Sequence, residues 1–279
     1  MLRKIVDFVV FSSLYVAICA VVMIWQTSRL LLDASPSIPL LGFVFFATIC
    51  SYNFHWYLTA SSASPSRRVQ WTHRHRMVHI VLYLIGAIGA IVYFFYLTRF
   101  TQAIGFAALL TFLYSAPKLP QRIFRWLRHI AIGKTFFLAF VWVYVTAALP
   151  VIVAGALWNA SYYWYILSRF FLIYACCLIF DFRDREDDRA QGIVSMVTLL
   201  SERNIDWLFI ISMILFLFAS IALAWYHYPA LYIILLLIPG IILAALYPET
   251  KRNYSDYLYY VVLDGIVMLS GLLMLVCRI

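Results

Sequence analysis

The sequence predicts an all-α polytopic membrane protein, a single integral-membrane domain over residues 1–279 with nine transmembrane helices. Three observations predict it. Hydrophobic residues make up 65% of the chain and charged ones only 12%, about half the charged share of an ordinary soluble domain. The apolar residues gather into stretches of about twenty, the length that crosses a bilayer. Lysine and arginine gather between those stretches, on one side.

In order, the apolar stretches lie near 6–30, 38–60, 77–97, 100–116, 131–154, 160–180, 206–226, 229–247 and 257–277. Backbone facing lipid must satisfy its own hydrogen bonds, so these read as helices; barrel strands would be shorter and would alternate. The first stretch follows Leu2-Arg3-Lys4 in the manner of a signal peptide, but its apolar run is too long for one and it reads as a retained span. The fourth is short enough to be tilted or partly interfacial.

The net charge of +9 would fit a nucleic-acid partner were it not for its placement. The amino terminus and the loops 61–76, 117–134, 181–205 and 248–256 hold 17 of the 21 lysines and arginines. That is the positive-inside pattern, which puts the amino terminus and these loops in the cytoplasm. The partners it implies are the lipid bilayer and phosphate groups, with no nucleic acid. The five cysteines, Cys19, Cys50, Cys176, Cys177 and Cys277, all fall in spans without disulfide or zinc spacing and read as small apolar residues.

The chemistry concentrates in DFRDREDDRAQG, Asp181 to Gly192, which directly follows the sixth span. Five of the chain's 12 acidic residues occupy eight positions there. If the helix continues past Phe180, Asp181, Asp184 and Asp188 stand at i, i+3 and i+7, within about 60° of one another. Three carboxylates on one stripe repel each other unless a cation lies between them, and Mg²⁺ prefers such oxygen ligands together with a substrate phosphate. The plainer alternative is a solvated loop whose acids Arg183, Arg185 and Arg189 neutralise.

Elsewhere the second span ends in a helix-breaking Ser/Ala/Pro stretch followed by Arg67, Arg68, Arg74 and Arg76 with His73 and His75. These arginines suit lipid headgroups or the phosphates of a lipid substrate. His75 and His79 are four apart but lack a third ligand. Tyr114 and Lys118, also four apart, end the fourth span on the side of the acidic stretch. Two charges lie deep in the membrane, Arg169 and Asp264, and unpaired each would be expensive. An Arg169–Asp264 pair is therefore expected.

These residues resemble the UbiA-type intramembrane prenyltransferases. The family's second aspartate motif, DxxDxxxD followed by RxxG, matches Asp181, Asp184, Asp188, Arg189 and Gly192, and its YxxxK motif matches Tyr114 to Lys118. The layout of nine helices matches along the whole chain. The first family motif, NDxxDxxxD, departs: Asn53 fits its leading residue, but Phe54, Tyr57 and Ser61 stand where aspartates belong.

The resemblance implies a Mg²⁺-dependent transfer of a prenyl group from an isoprenoid diphosphate to a hydrophobic acceptor. Asp181, Asp184 and Asp188 would hold the metal and carry the catalysis. Asn53, Arg67, Arg68, Tyr114 and Lys118 would bind the diphosphate, and aromatic faces such as Trp56 or Tyr57 would shield the allylic cation. Loss of the first motif leaves three readings: a one-metal enzyme with arginines in place of the second cation, a terpene cyclase, or a non-catalytic isoprenoid-lipid binder. A small transporter is the remaining class, disfavoured because the acids collect at one membrane face rather than the midplane.

Overall fold

The computed structural model describes residues 2–58, 66–115, 133–190 and 195–278. Every regular element among them is helical. Eight stretches of the described residues are long and apolar enough to cross a membrane, one fewer than the nine expected. The difference lies in Arg76–Tyr114, where two expected spans run together as one helical stretch of 39 residues.

A straight helix of that length would measure about 58 Å, nearly twice a bilayer core. The stretch is not straight. It consists of α5 (Arg76–Phe94), a 3₁₀ segment (Phe95–Phe100) kinked at Leu97, where φ is −116°, and α6 (Thr101–Ser115). Both ends touch the carboxyl-terminal end of α3 (Ile38–Leu58). The Arg76 guanidinium lies 4.5 Å over the Tyr57 ring, and the Tyr114 ring stacks on His55 at 5.4 Å. The middle of the stretch lies against the amino-terminal half of α3, where Tyr93 stacks on Phe46 and covers Gly42. α3 and α5 approach so closely at Gly86 that an added Cβ would lie 2.6 Å from the Cys50 amide nitrogen, which is why that position takes no side chain.

The expected first span is also divided, into α1 (Leu2–Phe11) and α2 (Leu14–Leu32). Ser13 between them is left-handed, with φ 68°. The break frees the Ser12 carbonyl, which accepts a hydrogen bond from Asn53 Nδ2 at 3.0 Å. Freed backbone groups inside a membrane protein persist only where such partners exist. Asn53 is fully buried. Its Nδ2 donates as well to the Ile49 carbonyl, and its Oδ1 meets His79 Nδ1 at 2.7 Å. Asn53→Ala orphans the Ser12 carbonyl and the His79 ring together. About 2–4 kcal/mol of stability should be lost, seen as an earlier thermal unfolding transition in detergent with ligand binding retained in the folded fraction.

The remaining elements are α4 (Arg67–Arg74), α7 (Lys134–Val153, with a π turn at Tyr144–Ala148), α8 (Ala160–Arg183), α9 (Arg185–Ala190), α10 (Met196–Leu199), α11 (Glu202–Tyr226), α12 (Ala230–Thr250) and α13 (Leu258–Cys277, opening with a π turn at Leu258–Leu263). α8 is the axis. Two-thirds of its apolar window, 67%, is buried against 11% for Arg76–Tyr114, so α5 and α6 form the periphery. The core packs Tyr165, Leu172, Ile173, Leu178 and Ile179 of α8 against Phe209 and Phe216 of α11 and Leu263 and Ile266 of α13.

The expected Arg169–Asp264 pair does not form. The buried Arg169 guanidinium donates to Ser270 Oγ at 3.0 Å, Ser168 Oγ at 3.2 Å and the Leu236 carbonyl at 3.4 Å. Hydroxyl and carbonyl dipoles in the bundle take the place of a carboxylate, and Asp264 faces elsewhere.

Candidate functional site

The site is built at the end of α8. Asp184, the residue after the helix, leaves helical geometry with ψ 2°, but the Asp188 amide still donates to its carbonyl at 2.9 Å. Helical progression therefore survives the joint into α9 and keeps Asp181 and Asp188 on one side. Both are buried. From the start of α7, Lys134 Nζ stands 3.2 Å from Asp181 Oδ1 and 3.2 Å from Asp188 Oδ2. The neighbouring Thr135 hydroxyl donates to the other Asp181 oxygen. Burial pushes the Asp188 carboxyl above the usual carboxylate range, and Lys134 pulls it back.

Asp184 does not join them. Its carboxylate is 44% exposed and is held at 2.8 Å by Arg183 Nε. Arg189 likewise binds Glu186, at 2.9 Å. The neutralised-loop alternative thus describes Asp184 and Glu186, whereas Asp181 and Asp188 turn inward. The expected convergence of three acids is corrected to two: among the described residues no group of three or more His, Cys, Asp or Glu side chains gathers at one point.

Two guanidinium groups are buried over one ring, Tyr260, at the same end of the bundle, one of them two residues after Asp181. Arg68 of α4 is 1% exposed. Its guanidinium carbon lies 4.1 Å over the Trp56 ring and 4.2 Å over Tyr260. Its Nε has no hydrogen-bond partner among the described residues, and its closest polar side-chain contact is Ser13 Oγ at 3.5 Å. Arg183 of α8 lies 4.8 Å over the same Tyr260 ring and donates to its hydroxyl at 2.6 Å, and its Nη1 is likewise buried without a hydrogen bond. Asp256 accepts from the Arg68 amide at 3.0 Å and from Ser66 Oγ at 3.1 Å, which fixes the start of α4, and it also forms an ion pair with Arg183 Nη1 at 3.8 Å. Two buried cations with unsatisfied donors, aromatic faces and converging carboxylates make a receptor for an anion with a cation beside it.

The other expected ligands divide. Tyr114 comes to the acids: Lys134, Asp181 and Asp184 are its charged neighbours. Lys118 lies outside the described residues. Arg67 is braced away from the cluster by Asp7 at 2.6 Å, and Asp7 also accepts from the Tyr257 hydroxyl. Asn53 is consumed by the α1–α2 break, which removes it from the set of diphosphate ligands. His75 and His79 share no ligand position, since the Nδ1 of His75 meets the Trp71 carbonyl and that of His79 meets Asn53.

No family model, curated protein or solved structure matches this chain.

The sequence alone does not single out Lys134 or Tyr260, and it reads Arg183 only as a neutralising charge and Asp264 only as a partner for Arg169. Lys134 was counted only as a topology charge. The signal that could have found it is its place at the first turn of a span on the acidic side.

Magnesium can be tested against these side chains. Two buried carboxylates already approach one cation position, that of the Lys134 ammonium, within 3.2 Å each. One or two carboxylates completed by substrate phosphate oxygens and water is the ordinary environment of Mg²⁺. Asp181 and Asp188 fit it; Asp184 does not take part.

Proposed function

We propose that this chain is an intramembrane transferase that moves a prenyl group from an isoprenoid diphosphate to a hydrophobic acceptor. On this reading it is a nine-crossing, UbiA-like bundle whose amino terminus and acidic cluster face the cytoplasm, with α5 and α6 as separate crossings. One observation carries it: Arg68 is wholly buried, in no ion pair with a carboxylate among the described residues and sandwiched between the Trp56 and Tyr260 rings, at the end of the bundle that also carries two acids sharing a cation position.

Arg68 and Arg183 bind diphosphate oxygens through their unsatisfied N–H groups. The Tyr114 hydroxyl and, once released from the acids, the Lys134 ammonium complete the grip on the leaving group. Asp181 and Asp188 would hold Mg²⁺, which supplies neutralisation of the charge left on diphosphate. Trp56 and Tyr260 wall the site with aromatic faces that keep water out and favour a developing allylic cation.

A second reading, saturable binding of an isoprenoid phosphate without turnover, is favoured by Lys134, which already supplies an organic cation between the acids. Purified protein with Mg²⁺ and farnesyl or geranylgeranyl diphosphate separates the two. Diphosphate release that increases with a membrane lipid extract supports transfer, and binding without release supports the second reading. Absence of both binding and release removes each of them.

A further inference from the structure

Asp264 lies within the membrane-spanning part of α13, yet among the described residues its side chain makes no hydrogen bond and no ion pair. It is not sealed off either: it retains partial exposure although it stands amid four other helices. Its charge acts on Tyr15 and Cys19 of α2, Tyr52 of α3, and Cys176 and Cys177 of α8, while Arg68 of α4 and Arg183 of α8 act on it. A carboxylate in that position without a partner is expensive, and such residues mark functional paths.

Its depth gives the role. Tyr260, whose ring carries both guanidinium groups, precedes Asp264 by four residues on the same helix. Asp264 therefore lies about one turn, 5–6 Å, deeper into the membrane than the ring that seats the headgroup. A diphosphate held by Arg68 and Arg183, with its chain directed into the membrane, would put the first prenyl carbon near that depth. Tyr52 of α3, partly exposed and accepting a hydrogen bond from Trp142 Nε1 at 3.0 Å, lies within electrostatic reach of both Asp264 and Tyr114.

We propose that Asp264 is the proton acceptor of the site, a role that rests on the transfer reading above. The C1–O bond breaks and its electron pair leaves on the diphosphate. An uncharged acceptor gives an electron pair to C1, and the proton that acceptor must lose passes to an oxygen of Asp264. The same carboxylate repels an anionic acceptor, which restricts the site to neutral ones.

The test uses the full-length protein in lipid nanodiscs, with radiolabelled geranylgeranyl diphosphate, Mg²⁺ and a membrane lipid extract. Bound prenyl diphosphate, released diphosphate and labelled lipid product are measured for wild type, Asp264→Asn and Asp264→Glu across pH 5 to 9. Removing a general base costs about 10²–10⁴-fold in rate. Asp264→Asn should bind the prenyl diphosphate within about two-fold of wild type, form product roughly 100-fold more slowly and lose the decline of rate at acid pH, with Asp264→Glu recovering part of the rate.

If wild type neither binds nor releases, the transfer reading falls and this inference with it. Binding without release likewise leaves no proton to accept and overturns it. If wild type turns over while Asp264→Asn keeps its product rate and pH profile, the inference alone is wrong. Tighter prenyl-diphosphate binding in Asp264→Asn at unchanged product rate would make Asp264 a mere counter-charge to the arginines, and also overturns it.

Discussion

Arg68→Met is expected to abolish prenyl-diphosphate turnover while leaving the protein at least as stable as wild type. The two halves of that result have one cause. Taking a guanidinium out of water costs several kcal/mol, and aromatic contacts of about 0.5–2 kcal/mol each repay only part of it. Among the described residues no carboxylate forms an ion pair with it to repay the rest, Asp264 acting on it only at longer range, and Nε is left without a partner. An apolar side chain of similar length removes that cost. The same change removes a pre-organised donor to the leaving group, for which losses of about 10²–10³-fold are typical. Diphosphate release and a thermal unfolding curve, measured on one preparation, check both halves. A clear fall in unfolding temperature with activity retained would show that Arg68 is a strut of the bundle and remove the observation on which the functional proposal stands.

Lys134→Met is expected to act in the opposite way, with a large loss of stability. Lys134 Nζ neutralises two buried carboxylates, and breaking a buried ion pair from one side costs about 3–5 kcal/mol. The pH dependence follows from Asp188, whose carboxyl is already raised by burial and would lose the opposing pull of Lys134. A raised carboxyl binds its proton more tightly folded than unfolded. That contribution to stability is complete below the usual carboxylate range and disappears as pH rises through the raised value. The destabilisation should therefore be smallest near pH 5 and largest near pH 8. Unfolding curves at the two pH values check it, and a loss independent of pH would refute the account.

Much of this architecture was legible in the residues. Apolar runs of membrane length mark most spans because the bilayer fixes their length, and the i, i+7 spacing brings Asp181 and Asp188 to one side because helical hydrogen bonding continues across Asp184. What was not legible depends on partners distant in the chain. Asp184 has the right spacing, but the adjacent Arg183 captures it, and no periodicity argument contains that competition. The break at Ser12–Ser13 is stable only because Asn53, some forty residues on, receives the freed carbonyl. Arg169 is held by Ser168, Ser270 and a carbonyl rather than by the carboxylate that charge alone suggests, with its Nε unpaired among the described residues. Tyr93 lies against the amino-terminal half of α3 and Tyr114 against its carboxyl-terminal end, so the third and fourth expected spans are joined yet reversed, and a hydropathy profile cannot tell a turn from a continuation.

The ammonium shared by Asp181 and Asp188 carries a consequence for handling the protein. Folding does not wait for a metal, because the repulsion an ion would relieve is already relieved from within the chain. On the transferase reading, chelation by EDTA should leave the unfolding temperature where it was and silence only turnover, which should return when magnesium is added back. The protein would then behave as a scaffold that stands complete at rest and admits its inorganic partner only together with the anion it serves.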